Sequence, residues 1–207
     1  MRLVDFYNNT VAINDGGGGW AGCHYGIFTK IIADNNYTKV AEVGIGYGTH
    51  AKYILKNNPT LQQLYLIDPM VEYPNDGFSM DVMNQEATVP GNNFNEFYDL
   101  IKKELREFEG HYTWFRTPSV SISNDQIADG TLDAVFIDAD HSYAAVRADL
   151  EFWWKKIRVG GQMLGDDYWI SSVAHATNEF AEEKNLSFDF LTLPNKDYKI
   201  FRFHKTS

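Results

Sequence analysis

Apolar positions along this chain fall in short runs whose period switches between helix and strand. Residues 25–35 place Phe28, Ile31 and Ile32 on one helical face. Lys39–Val43 reads as a short apolar strand, and Thr49–Asn57 returns to helical spacing with Ala51, Ile54 and Leu55. A second strand covers 64–67 and ends in Asp68-Pro69. Residues 94–108 form an amphipathic helix, with Phe94, Phe97, Tyr98, Ile101, Leu105 and Phe108 on one stripe. Strands follow at 112–116 and 134–137, the latter apolar throughout, as expected when both faces are buried. Ser142 caps the next helix, whose stripe is Val146, Leu150, Trp153 and Ile157, and Val159-Gly160-Gly161 stops it. A fifth strand at 162–164, a helix at 171–184 and two strands at 188–193 and 199–203, joined by a hairpin at 194–198, complete the chain.

This alternation implies right-handed βαβ units: an α/β fold, doubly wound, with a mostly parallel seven-stranded sheet and an antiparallel C-terminal hairpin that adds one antiparallel edge strand. The length suits a single domain over 1–207. Two stretches break the pattern. Residues 1–24 end in four glycines at 16–19 followed by Trp20, Cys23 and His24, and read as an entry segment or lid pivoting on the glycines. Residues 69–93 are rich in Pro, Gly, Asn and Asp and read as an insertion in which Tyr73, Phe78 and Met80 shape an acceptor pocket.

The net charge of −10, with no run of Lys or Arg, argues against a nucleic-acid partner, whose phosphates call for a basic face. No apolar stretch approaches the ~18 residues of a membrane span. The one cysteine excludes an intrachain disulfide and suits a reducing, cytoplasmic setting. The expected partner is a small molecule, and the composition is compatible with a homo-oligomer.

Between the first strand and its helix stands Glu42-Val-Gly44-Ile-Gly46-Tyr-Gly48. Glycines there allow a tight turn and close backbone approach to a ligand. The spacing is G-x-G-x-G; Thr49 departs from the dinucleotide pattern. Asp68 ends the next strand, 20 residues after Gly48, where an acid can bind both hydroxyls of a ribose. That ribose suits a nicotinamide cofactor as well.

Two further segments carry acids: Asp138-Ala-Asp140-His141 and Asp166-Asp167-Tyr168-Trp169. Both follow parallel strands, whose carboxyl ends line the ligand crevice of such sheets. Converging carboxylates repel one another unless a cation compensates, and Mg²⁺ prefers a few carboxylate oxygens. Asp140 reads as a cap of the following helix, His50 as local structure. Tyr168 and Trp169, just beyond the acidic pair, are placed to face an acceptor.

From about Tyr25 onward the chain resembles the class I S-adenosylmethionine-dependent methyltransferases, through E-V-G-I-G-Y-G and Y-L-I-D. The resemblance implies their Rossmann-like fold. It implies that Gly44, Gly46 and Gly48 cradle the amino-acid part of the cofactor, Glu42 positions the turn, Asp68 binds the ribose, and 117–124, with Ser119 foremost, flanks the adenine. The pattern F-I-D-A-D-H-S-Y with G-D-D-Y is similar to the metal-dependent O-methyltransferases, particularly the sugar-modifying ones of macrolide biosynthesis and, more distantly, catechol O-methyltransferase. It implies that Asp138, Asp166 and Asp167 ligate Mg²⁺ or Mn²⁺, with Asp138 also bordering the cofactor and sharing the catalytic work with His141. Catechol-type enzymes carry a lysine and an asparagine where this chain has His141 and Asp167, which favours a sugar hydroxyl over a phenol. A sugar hydroxyl is a weak acid and needs metal polarisation together with a base, a role that suits a neutral histidine. The alternatives are a catechol-like acceptor, a nicotinamide-dependent oxidoreductase, or a binding module without turnover.

Overall fold

Successive side chains of a strand point to opposite faces, and here each face meets its own core. Val40, Leu64, Leu66, Ala134 and Phe136 pack with Phe28, Ile32, Ile54, Phe97 and Ile101. Ala41, Val43, Ile67, Val135 and Ile137 pack with Leu150, Trp153, Phe180 and Phe203 on the other side. The computed structural model describes residues 25–71, 93–192 and 199–207. The lid expected over 1–24, with Cys23 and His24, most of the insertion (72–92, with Tyr73, Phe78 and Met80) and the hairpin turn at 194–198 lie outside the described residues.

The seven strands are β1 (Lys39–Val43), β2 (Gln63–Ile67), β3 (Tyr112–Phe115), β4 (Leu132–Ile137), β5 (Ile157–Gly165), β6 (Phe188–Thr192) and β7 (Lys199–His204), in the order β3-β2-β1-β4-β5-β7-β6. Helices α1 (Tyr25–Asp34), α2 (Thr49–Asn57) and α3 (Phe94–Glu104) bury their apolar stripes in the first core. Helices α4 (Tyr143–Lys156) and α5 (Ser171–Glu183) bury theirs in the second. No helix among the described residues is long and apolar enough to cross a membrane.

The structure departs from the sequence-based expectation in two places. The expected helix stop at Val159-Gly160-Gly161 lies within a strand: α4 ends at Lys156, and β5 runs from Ile157 to Gly165. Gly160 takes a φ of 81°, and a side chain at Gly161 would lie 2.6 Å from the Asp133 carbonyl oxygen. The two glycines thus carry β5 past a register shift against β4 at Leu132/Ala134. The second departure is at the C-terminus. The antiparallel strand is β7, and it lies inside the sheet between β5 and β6; the expectation was one antiparallel strand at the edge.

Register matters most at the carboxyl ends. Val43 pairs with both Ile67 and Ile137, Ile67 with Phe115, and Ile137 with Gly165. Gly44, Asp68, Asp138 and Asp166 are therefore each the first residue beyond the paired ladder. They form one row across the point where the strand order reverses, the place where open α/β sheets take their ligands.

Candidate active site at the carboxyl edge of the sheet

Backbone hydrogen bonds continue one residue past the strands and align that row. Gly44 N–H donates to Ile67 O (2.9 Å), Asp68 N–H to Phe115 O (3.2 Å), Asp138 N–H to Val43 O (2.8 Å) and Asp166 N–H to Ile137 O (3.0 Å). At Gly44 a Cβ would stand 1.9 Å from the Asp138 carbonyl oxygen, and φ is 80°. Only glycine lets the β1 and β4 loops approach this closely. Gly48 has φ 71° and opens α2; a Cβ there would meet Ile101 Cγ2 at 2.5 Å.

Asp68 ties the glycine turn in place. Its Oδ2 accepts the Ile45 N–H at 3.0 Å, and its Oδ1 accepts that of Met70 at 2.7 Å. Burial pushes this carboxyl above its usual value, against the pull of the amide bonds from Ile45, Met70 and Gly46. Glu42 is 2% exposed, and its Oε1 lies 2.8 Å from Nδ1 of His50. The His50 ring stacks against Tyr25, with centroids 4.7 Å apart, and Tyr25 in turn hydrogen-bonds Thr49. His50 is thus the partner that fixes Glu42 beneath the turn. The sequence did place it eight residues on, at the start of α2, but gave no sign of the pairing.

On the other side of the row, Asp138, His141 and Asp167 bring donor atoms to within 4.8 Å of one another. His141 Nε2 lies 2.8 Å from Asp167 Oδ2. The other Asp167 oxygen accepts the indole N–H of Trp169 at 2.8 Å. Asp167 holds a φ of 56°, unusual for a residue other than glycine. Its amide donates to Asp166 Oδ1 at 2.6 Å. Asp166 thus spends one oxygen on the turn and is not one of the three residues of the tight group. Its charge still reaches Asp138, which is pushed well above the usual carboxylate range by burial first, then by Asp166 and Asp167, with His141 opposing. Asp140 accepts the Ser142 N–H at 2.6 Å and shapes the turn into α4, while Ser142 accepts from Ala145 as the helix cap. Ser172 Oγ donates to the His141 carbonyl at 2.6 Å and holds that loop against α5.

Ser119 begins a short 3₁₀ turn, Ser119–Ser121, just after β3, and its hydroxyl donates to Asp149 of α4. Of the aromatic pair expected to face an acceptor, Tyr168 instead packs with Phe188, Phe190 and Phe201, its hydroxyl bonded to Asn178 at 3.0 Å. Trp169 remains 66% exposed.

A family model described as a methyltransferase domain matches residues 41–168, from β1 through the acidic turn after β5. This chain belongs to that methyltransferase family. The methyltransferase's fold recurs in solved structures of low identity. The O-methyltransferase NovP is 14% identical over 89% of this chain and 78% of that one, with a TM-score of 0.61. TrmK of M. capricolum, in complex with S-adenosylhomocysteine, is 15% identical over 88% and 67%, with a TM-score of 0.57. The S-adenosylhomocysteine-bound methyltransferase PaMTH1 of Podospora anserina is 12% identical over 99% and 88%, also at 0.57. At such identities the likeness speaks for the fold alone. No curated protein sequence matches the chain.

Proposed function

We propose that this methyltransferase moves the methyl group of S-adenosylmethionine to a hydroxyl oxygen of a sugar or glycan, with a divalent cation at Asp138 and Asp167 beside His141 and with Asp166 supporting it. The observation that carries the reading is the meeting of Asp138, His141 and Asp167 within 4.8 Å, one loop away from the glycine turn.

The donor set fits a cation. Asp138 stands half-buried among like charges that raise its affinity for a proton, and a divalent ion satisfies the same demand without one. The carboxylate oxygens suit Mg²⁺ or Mn²⁺. When bound, the ion would neutralise the carboxylates and polarise an acceptor hydroxyl. Asp166 supports the site through the backbone, since its bond to the Asp167 amide fixes the direction of the second acid.

The chain's own residues supply the rest. The turn at Gly44, Gly46 and Gly48 takes the amino-acid end of the cofactor, Asp68 the ribose, and Ser119 the adenine side. His141 accepts the acceptor's proton as its oxygen forms the new bond to the methyl carbon. The cofactor would supply that methyl group, the electron pair of its C–S bond being left on sulfur. Asp167, already 2.8 Å from Nε2, stabilises the imidazolium that results. Trp169, exposed beside Asp167, is the ring left to face the acceptor.

The test is methyl transfer to a panel of glycosides and catechols, with and without chelator, alongside calorimetric titration with S-adenosylhomocysteine and NAD. Turnover on glycosides that stops in chelator supports the proposal. Full activity in chelator overturns the metal assignment, preference for catechols overturns the acceptor class, and binding of NAD in place of S-adenosylhomocysteine overturns the cofactor.

A further inference from the structure

We infer, on the cofactor placement proposed above, that Arg116 is a positioning residue: its guanidinium holds the two carbonyls that follow Asp68 and so sets the Asp68 carboxylate for the two hydroxyls of a ribose.

Beyond Ile67 the chain leaves β2, and side chains from the end of β3 take three successive carbonyls of the departing segment. Trp114 Nε1 donates to Asp68 O at 3.1 Å, Arg116 Nε to Pro69 O at 3.2 Å and Arg116 Nη2 to Met70 O at 3.1 Å. Trp114 lies in β3 and Arg116 just past its end, two residues apart, so both lean to one side of the sheet. Tyr98 of α3 meets them there. Its ring centroid is 4.5 Å from that of Trp114 and 4.8 Å from the Arg116 guanidinium. A planar fork seated on a ring is preorganised for two acceptors, which the point charge of a lysine is not.

The fork holds a strained turn. Met70 has a φ of 49°, in the left-handed region that is costly for a residue with a side chain, while its own side chain is anchored in the first core. That turn aims the Met70 N–H at Asp68 Oδ1 (2.7 Å), and the Ile45 N–H reaches Oδ2 (3.0 Å). One amide on each oxygen fixes the plane of the carboxylate, and each oxygen keeps acceptor capacity. A carboxylate held in this way can take two adjacent hydroxyls, one on each oxygen. Without the fork, Met70 is free to relax towards negative φ and its amide leaves Oδ1. The carboxylate then turns, and the grip on a pair of hydroxyls is lost while the rest of the cofactor pocket stands. Arg116 thus acts through Met70 and Asp68.

The experiment measures dissociation constants by calorimetry for S-adenosylhomocysteine and for its analogue lacking both ribose hydroxyls. The proteins are wild type, Arg116→Ala, Arg116→Lys, Asp68→Ala and the Arg116→Ala/Asp68→Ala double variant. The preference for the hydroxylated ligand is expected to fall about tenfold in Arg116→Ala, with affinity for the analogue nearly unchanged. Arg116→Lys, which keeps the charge without the fork, falls about as far. In the Asp68→Ala background the Arg116 substitution changes the preference no further. An undiminished preference in Arg116→Ala overturns the inference, as does an equal loss of affinity for both ligands, which a purely structural role would produce. Full retention in Arg116→Lys overturns the role of the fork, and that folded variant decides the matter even if Arg116→Ala does not fold. A wild type that binds S-adenosylhomocysteine but does not distinguish the two ligands overturns the ribose assignment of Asp68 and this inference with it. A wild type that binds neither overturns the cofactor reading itself.

Discussion

At the residue scale, His141 and Asp138 divide the work that methyl transfer demands. His141 is half-buried, its Nε2 against Asp167 and its carbonyl pinned by Ser172. A base so held contributes typically ~10²-fold or more to rate. His141→Ala is therefore predicted to lower turnover by about that factor while the dissociation constant for S-adenosylhomocysteine stays as it was. Turnover equal to the parent enzyme's would place the base elsewhere. Asp138→Ala removes the carboxyl that Asp166 and Asp167 crowd. The prediction is a strong loss of activity together with weaker Mn²⁺ binding, read by the paramagnetic signal of free ion. Unchanged Mn²⁺ affinity in that variant would refute the ligand assignment. Asp68 stands apart from both. It contacts the glycine turn, so Asp68→Ala is expected to weaken S-adenosylhomocysteine binding and leave metal affinity intact; an unchanged dissociation constant for the cofactor product counts against the ribose role.

At the element scale, the turn after β1 and the loop after β4 are a single unit because Gly44 touches the Asp138 carbonyl. Gly44→Ala must move a backbone, and a non-glycine residue at positive φ costs ~1–3 kcal/mol besides. The variant is predicted to melt several degrees lower and to lose affinity for cofactor and cation together. A melting temperature within a degree of wild type would show that the two loops are not rigidly coupled. The glycines and terminal acids of these loops are legible in the sequence because turns and strand ends impose residue types. The strands β1, β2 and β4 are legible for a similar reason, burial on both faces. The extension of β5 is not, since Gly160-Gly161 reads as punctuation while the register shift that tolerates it is a property of β4. Nor is the insertion of β7 between β5 and β6, which local periodicity does not encode. Pairings across elements escape altogether: Glu42 with His50, Trp169 with Asp167 and Ser119 with Asp149 depend on which loops meet. The same holds for Asp166, whose place in an adjacent acid pair suggests a ligand equal to Asp167 until its bond to the Asp167 amide is seen.

At the scale of the whole molecule, three acids with raised proton affinity work against folding. Asp68, Asp138 and Asp149 are all raised, in each case by burial first. A carboxyl whose folded pKa exceeds its unfolded one binds its proton more tightly in the folded chain. Its contribution is favourable at low pH and is lost as pH rises from the unfolded value through the folded one. For Asp149 that window opens near 3.8 and closes at about 6. The span corresponds to about 3 kcal/mol withdrawn from the folded state by neutral pH. Asp149→Asn carries no titrating group there and keeps an oxygen for Ser119. The two proteins are thus predicted to have similar stabilities near pH 4, with the variant pulling ahead between pH 4 and 7 and staying ahead by up to that amount at pH 8. Thermal or urea unfolding across the pH range measures the gap, and because the other raised acids are common to both proteins, the difference isolates Asp149. Parallel curves would mean that Asp149 titrates as an ordinary carboxyl and that its burial carries no electrostatic cost.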